Sequence, residues 1–197
     1  MYDYRKMSEK ERQEVLQHHR LRGYPLHAPP HDDSSEGFHL VSAACFEHRS
    51  IMASPERRSF FQERLLSFLV GIPDAEIRAW VILPNHYHVL IGARVALLKR
   101  VLNRLHSGTA TGWNREDNAR GRNVWFRFSE RRIRDARHFY ATVNYIHGNP
   151  VKHGWTRNSS DWPWSSLGDW MEELGRDYLV NMWRDYPVDE YGKGWDD

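Results

Sequence analysis

The sequence predicts an α+β fold, an antiparallel sheet with helices packed on one face. Two observations lead there. Runs with alternating apolar residues take turns with runs of helical spacing, and two of the β-like runs meet at Pro84-Asn85 as a hairpin. The 197 residues suit one domain with an appendage. With 40% hydrophobic and 27% charged residues, a mostly disordered chain is excluded. No stretch approaches ~18 apolar residues, so no membrane span is predicted. The beginning, MYDYRKMSEKERQ, lacks the apolar core of a signal peptide, and a cytoplasmic location is expected. A single cysteine, Cys45, excludes a disulfide scaffold and a multi-thiolate zinc site.

The elements follow in order. Residues 8–22 read as a charged helix from Ser8, and residues 24–37, with three prolines, as a loop. Phe38 to Glu47 alternates as a strand. Ser54 before Pro55 signals a helix start, with Phe60, Phe61, Leu65, Phe68 and Leu69 on its buried side and Gly71 and Pro73 as the stop. Ala75 to Leu83 and His86 to Gly92 form the hairpin. Val95 to about His106 is a basic helix whose Val95, Leu98, Val101, Leu102 and Leu105 face inward. Residues 107–122 read as a mobile loop. Asn123 to Ile133 is a strand with Val124, Phe126 and Phe128 on one face, and Asp135 caps a helix that ends by Asn149-Pro150. The order β-α-β-β-α-β plus one more helix is the ferredoxin-like arrangement. A composition shift near Trp155 to Asp161 sets the predicted divisions: residues 1–37 an N-terminal helix and loop, 38–157 the main domain, and 158–197 an extended acidic tail.

Charge is unevenly spread. Residues 94–137 carry 12 Lys and Arg against four acids, and residues 158–197 carry three basic residues against ten acids. The middle suits a polyanion and the tail does not. A tail folded back over the basic stretch would compete with nucleic acid there, in which case deleting residues 165–197 tightens non-specific DNA binding.

Two constellations carry chemistry. In Asn85-His86-Tyr87-His88, residues i and i+2 of a strand share a face, so His86 and His88 stand side by side and offer two imidazoles to one divalent metal. The plain alternative is a surface pair with no ligand. Tyr87, Val89 and Ile91 take the core side, which leaves the histidine face free. The second constellation is Asn144-Tyr145-Ile146-His147-Gly148-Asn149-Pro150. Phe139, Val143 and Ile146 form the apolar stripe of the helix. Tyr145 lies about 120° from it and projects with Asn149, one turn later, and His138, two turns earlier. An exposed phenol beside a metal is a candidate nucleophile on phosphate.

At these residues the sequence resembles a family. His86-Tyr87-His88 after Leu83-Pro84-Asn85 is similar to the histidine–hydrophobic–histidine signature of the IS200-like Y1 transposases. Tyr145-Ile146-His147-Gly148-Asn149-Pro150-Val151-Lys152-His153-Gly154 and Trp162-Pro163-Trp164-Ser165-Ser166 resemble the REP-associated tyrosine transposases of the HUH endonuclease superfamily, as does the ending around Tyr186-Pro187-Val188 and Tyr191-Gly192. The resemblance implies that residues 38–157 are a Y1 transposase-like catalytic domain. His86 and His88 would hold Mg²⁺ or Mn²⁺, with Asn149 as an amide ligand. Tyr145 would attack a single-stranded DNA phosphate, forming a 5′-phosphotyrosine link beside hairpins of repetitive extragenic palindromes. Lys99, Arg100, Arg104, Arg115, Arg120 and Arg122 are the candidates for a DNA-binding face, and Arg131, Arg132 and Arg134 for positioning the scissile phosphate. Asn149 precedes a proline and follows a glycine, so a frayed helix end is expected, with His138 or His147 as substitute ligands. The partners expected are single-stranded and hairpin DNA, with the protein a monomer and no membrane involved. Two other readings stay open: an inert protein that grips structured nucleic acid, and a metal-dependent phosphodiesterase with water as nucleophile.

Overall fold

The computed structural model describes Ser8, residues 37–189 and Tyr191. The helix expected at 8–22 and most of the loop at 24–37 lie outside these residues. From there the order is β1 (Phe38–Ala44), α1 (Pro55–Val70), β2 (Glu76–Ile82), β3 (His86–Gly92), α2 (Val95–Glu116), β4 (Ser129–Arg132), α3 (Ala136–Lys152), α4 (Leu167–Leu174) and α5 (Arg176–Asp185), with single 3₁₀ turns at Phe46–His48 and Ser159–Asp161. The strands form one sheet in the order β2-β3-β1-β4. Every pairing is antiparallel. The expected succession of strands and helices is present.

The first face of the sheet is covered by α1 and α2. Val41, Ala43, Trp80, Ile82, Tyr87, Val89 and Ile91 meet Phe61, Leu65 and Leu69 of α1 and Leu98, Leu102, Leu105 and Trp113 of α2. Ser54 caps α1, its hydroxyl accepting from the Arg57 amide at 3.2 Å. Phe60, expected inside, is exposed, because Phe61, Leu65 and Leu69 at four-residue spacing already define the buried stripe. Arg58 is buried in its place. Its guanidinium donates to the Met52 and Ala53 carbonyls at 2.9 and 2.7 Å and lies 3.9 Å from the centre of the Trp164 ring.

The chain departs from expectation in the middle. Helix α2 does not stop near His106 but runs on to Glu116, because Thr109 and Trp113 continue its buried stripe. The stretch 107–116 is therefore helix, not loop. In turn β4 is short, since the Trp125 ring turns inward and stacks on His106 at 4.5 Å. Val124 is buried and Phe126 exposed, so the predicted common face of Val124, Phe126 and Phe128 does not form.

The second face is covered too. Leu40, Ala79, Val81, Leu83 and Leu90 pack against Val143, Tyr145 and Ile146 of α3 and against Trp162, Leu167, Leu179 and Met182. The expectation of helices on one face thus holds for α1 and α2 only. Nor are residues 158–189 extended. Trp164 to Ser166 pairs with the β2 edge through the Ile82 amide to the Trp164 carbonyl, 2.9 Å, and the Ser166 amide to the Trp80 carbonyl, 3.0 Å. Helices α4 and α5 then turn apolar residues toward α3, with their acids outward. Deleting residues 165–197 would uncover this core, so that deletion unfolds the protein before it reports on DNA. Among the described residues, no helix is long and apolar enough to cross a membrane.

Candidate active site

Strand β3 places His86 and His88 on the second face, opposite Ala44 and Ser42 of β1. That face is not free as the sequence suggested. Helix α3 covers it, leaving His86 4% and His88 1% exposed. Tyr145 is likewise buried, at 2% exposure, rather than projecting. The apolar stripe of α3 is broader than Phe139, Val143 and Ile146 alone. The sheet takes one side of the helix and α4 and α5 another, so every residue from 141 to 147 is buried. Asn149 is ordered within the helix and fully buried, because α3 continues through Pro150 to Lys152.

The site is built from the following contacts. Asn85 donates its amide NH₂ to the His48 carbonyl at 3.4 Å, which turns its Oδ1 toward His86 Nδ1 at 2.8 Å. His88 Nδ1 meets the Ser42 hydroxyl at 2.6 Å. Both imidazoles are thereby held through Nδ1, and both Nε2 atoms turn toward α3. His86 Nε2 lies 3.0 Å from Asn149 Oδ1, and His88 Nε2 lies 3.3 Å from the Tyr145 hydroxyl. The two imidazole rings are 5.1 Å apart. With Nδ1–H given to Asn85, a neutral His86 points its Nε2 lone pair at an amide oxygen. Two acceptors face to face call for a proton or a cation between them. Octahedral ligands at about 2.1 Å and 90° sit about 3 Å apart, so the His86–Asn149 spacing fits two neighbouring ligands of one hard divalent ion. The Asn149 NH₂ is buried with no hydrogen-bond partner. Among the described residues no three His, Cys, Asp or Glu side chains group as a metal site. The candidate set is two imidazoles and one amide.

Positive charge surrounds the phenol. Lys152 Nζ lies 5.0 Å from the centre of the Tyr145 ring. Arg131, opposite Leu40 on β4, shares the face of Ser42 and His88. Burial pulls its pKa down, partly offset by the neighbouring phenols of Tyr191 and Tyr145. The Tyr191 ring packs 5.3 Å from Tyr145, and its hydroxyl bonds Thr142. The His153 ring touches His86 at 4.8 Å.

The other candidate residues scatter. Lys99, Arg100, Arg104 and Arg115 lie on α2, across the sheet from the histidines. Arg120 follows α2 in an exposed turn. Arg122 is tied to Asn114 at 3.0 Å and Asp117 at 2.7 Å. Arg132 faces the opposite way from Arg131, beside His39, and Arg134 lies just before α3. His138 neighbours Tyr191, and His147 bonds Ser166 at 2.9 Å, so neither joins His86 and His88. Sequence reasoning missed Ser42, Lys152, His153 and Tyr191 and gave Asn85 no role. Lys152 was findable, since residues 145, 149 and 152 share one side of a helix. Ser42 was not, because only strand register brings it to His88.

No protein-family model matches the chain. A curated REP-associated tyrosine transposase of Escherichia coli K12 is 36% identical over 102 residues, covering 47% of this chain and 54% of that protein. A Haemophilus influenzae protein given the same family name is 34% identical over 103 residues, covering 47% and 58%. Over about half its length the chain is similar to these two proteins. It spans about half the length of the curated relatives it matches. A solved REP-associated tyrosine transposase bound to a REP hairpin superposes with a TM-score of 0.56 and 24% identity, covering 82% of this chain and 90% of that one. This likeness is one of fold: a mixed α/β architecture with a four-stranded antiparallel sheet.

Proposed function

We propose that this chain is a DNA strand-transfer enzyme acting at hairpins, built on a ferredoxin-like sheet, with Tyr145 as its nucleophile. The observation that carries the reading is the convergence of the Tyr145 hydroxyl, the two Nε2 atoms of His86 and His88, and Asn149 Oδ1 in one pocket. The named relatives are tyrosine transposases, and the structural neighbour holds a REP hairpin.

His86, His88 and Asn149 would hold the divalent ion, which when bound polarises a phosphate oxygen. Nitrogen donors suit Mn²⁺ better than Mg²⁺. The Tyr145 oxygen gives up its proton and attacks phosphorus, the bond to the 3′ oxygen breaks, and that oxygen takes up one proton and leaves as a 3′-hydroxyl. The DNA is left as a 5′-phosphotyrosine ester, so the phosphodiester energy is kept until a second 3′-hydroxyl reverses the step. Lys152 and Arg131 set positive charge where the phosphate arrives. Ser42 and Asn85 orient the imidazoles through Nδ1, as outer partners of metal-binding histidines do. All these groups belong to one chain, so a monomer suffices. Since Tyr145 is covered, DNA binding has to open a path to it.

The test incubates the protein with Mn²⁺ or Mg²⁺ and end-labelled hairpin oligonucleotides carrying single-stranded flanks. A slow band on a denaturing gel, lost with chelator and absent in Tyr145→Phe, is the expected result. Binding without cleavage in either metal would favour an inert DNA-binding protein. Cleavage that survives Tyr145→Phe would favour water as the nucleophile.

A further inference from the structure

Helix α3 borders a cavity that the proposed reaction does not use. Its volume is about 690 Å³, inside the ~300–1,000 Å³ span of small-ligand sites. Asn144, Gly148 and Val151, one row of α3, form one wall, and α4 and α5 form the other through Leu167, Leu179 and Trp183. Asn144 and Gly148 each stand one residue before a proposed active-site group, Tyr145 and Asn149. Leu167 and Leu179 are buried at the inner end, whereas Val151, Val180 and Trp183 are 40%, 53% and 37% exposed at the mouth. Apolar side chains left in water around a concave site mark a surface for a ligand.

Three further features shape the occupant. Gly148 lies inside the helix with no left-handed backbone, and a Cβ built there meets nothing within 4 Å. A helix interior favours alanine over glycine, so the missing side chain leaves room at a cost to the helix. Asn144 is 3% exposed, and its NH₂ donates to the Met182 and Tyr186 carbonyls at 3.1 and 2.8 Å. Its Oδ1 is buried with no partner, so the chain alone leaves the inner end incomplete. Arg157 and Arg176 line the cavity, and neither has an ion-pair partner among the described residues. The surrounding segment is rich in acids, yet no described residue lining the cavity is acidic. Apolar walls with two uncompensated guanidinium groups fit an apolar body with an anionic head.

We propose that this cavity binds a small organic acid, its apolar body along Leu179 and Trp183 and its carboxylate held by Arg157 and Arg176. The site does not depend on the strand-transfer reading. Calorimetry would titrate the full chain with octanoate, with 1-octanol as the uncharged chain and with acetate as the bare head. Octanoate is expected to saturate one site, octanol to bind roughly ten-fold more weakly, and acetate to give no measurable binding. Gly148→Leu fills the cavity and should weaken octanoate binding more than ~10-fold, while as a better helix former it should not lower the melting temperature. Arg157→Gln together with Arg176→Gln should weaken octanoate about ten-fold and change octanol by less than about two-fold. No saturable octanoate binding overturns the site, as does octanoate binding unchanged in both variants. Octanol bound as tightly as octanoate overturns the anionic head. Self-association of the wild type that Gly148→Leu abolishes, with no octanoate binding, overturns the site in favour of a second copy of the chain. None of these outcomes changes the result expected for strand cleavage.

Discussion

The two faces of the sheet each bury a tyrosine against a histidine. On the first, the Tyr87 hydroxyl meets His106 Nε2 at 2.9 Å. On the second, the Tyr145 hydroxyl meets His88 Nε2 at 3.3 Å. Tyr87 and His106 sit among Phe61, Trp113 and Trp125. Burial raises the Tyr87 phenol far above its usual range and pushes His106 down to about 4, so both stay neutral. Around Tyr145 and His88 stand Lys152, Arg131, His86 and Asn149. The same residue pair is packing on one face and a candidate reaction centre on the other. What separates them is the charge and the donor atoms around the hydroxyl, not its burial.

That contrast sets the predictions. The largest effect is expected from the two tyrosines. Tyr145→Phe should lower strand cleavage at least ~10³-fold, as loss of a nucleophile does. Tyr87→Phe should leave cleavage intact and cost about 1–3 kcal/mol in denaturant unfolding, since it strands a buried imidazole nitrogen. Equal effects on activity would erase the distinction between the faces. Next come the proposed ligands: His86→Ala or His88→Ala should lower Mn²⁺ affinity, measured by calorimetry, by more than ~100-fold, and Asn149→Ala by less. Smaller still, Ser42→Ala and Asn85→Ala should weaken the same affinity about 10–100-fold through the loosened imidazoles.

A further effect is in stability against pH. His106 at about 4 and His147 at about 3 are held neutral by burial. Below about pH 6.5 the unfolded chain takes up protons that the folded one refuses. Stability is therefore full above that pH and falls toward pH 4, by up to ~1.4 kcal/mol per pH unit for each histidine. Urea melts at pH 7.5, 5.5 and 4.5 would show it, and His147→Gln should flatten part of the slope.

Much of this could be read from the sequence, and the misses have physical causes. The alternation of His86 and His88 with Tyr87, Val89 and Ile91 assigned each of these side chains to its face. Turn chemistry at Pro84-Asn85 and the Ser54 and Asp135 caps placed the elements. Burial of Tyr145 was not legible, because its ring packs against His88 of the sheet and against Tyr191, both distant in the sequence. The order at Asn149 was masked by local rules for Gly148 and Pro150 that packing overrides. The length of α2 was missed because Gly108 and Gly112 read as breakers, although Thr109 and Trp113 kept the buried spacing.

The most direct measurement is to locate the covalent bond. The protein would be reacted with a flanked DNA hairpin and Mn²⁺, digested, and mapped by tandem mass spectrometry. The account predicts a nucleotide phosphate on Tyr145 and on no other tyrosine. An adduct on its neighbour Tyr191, or cleaved DNA with a free 5′-phosphate and no adduct, would contradict it.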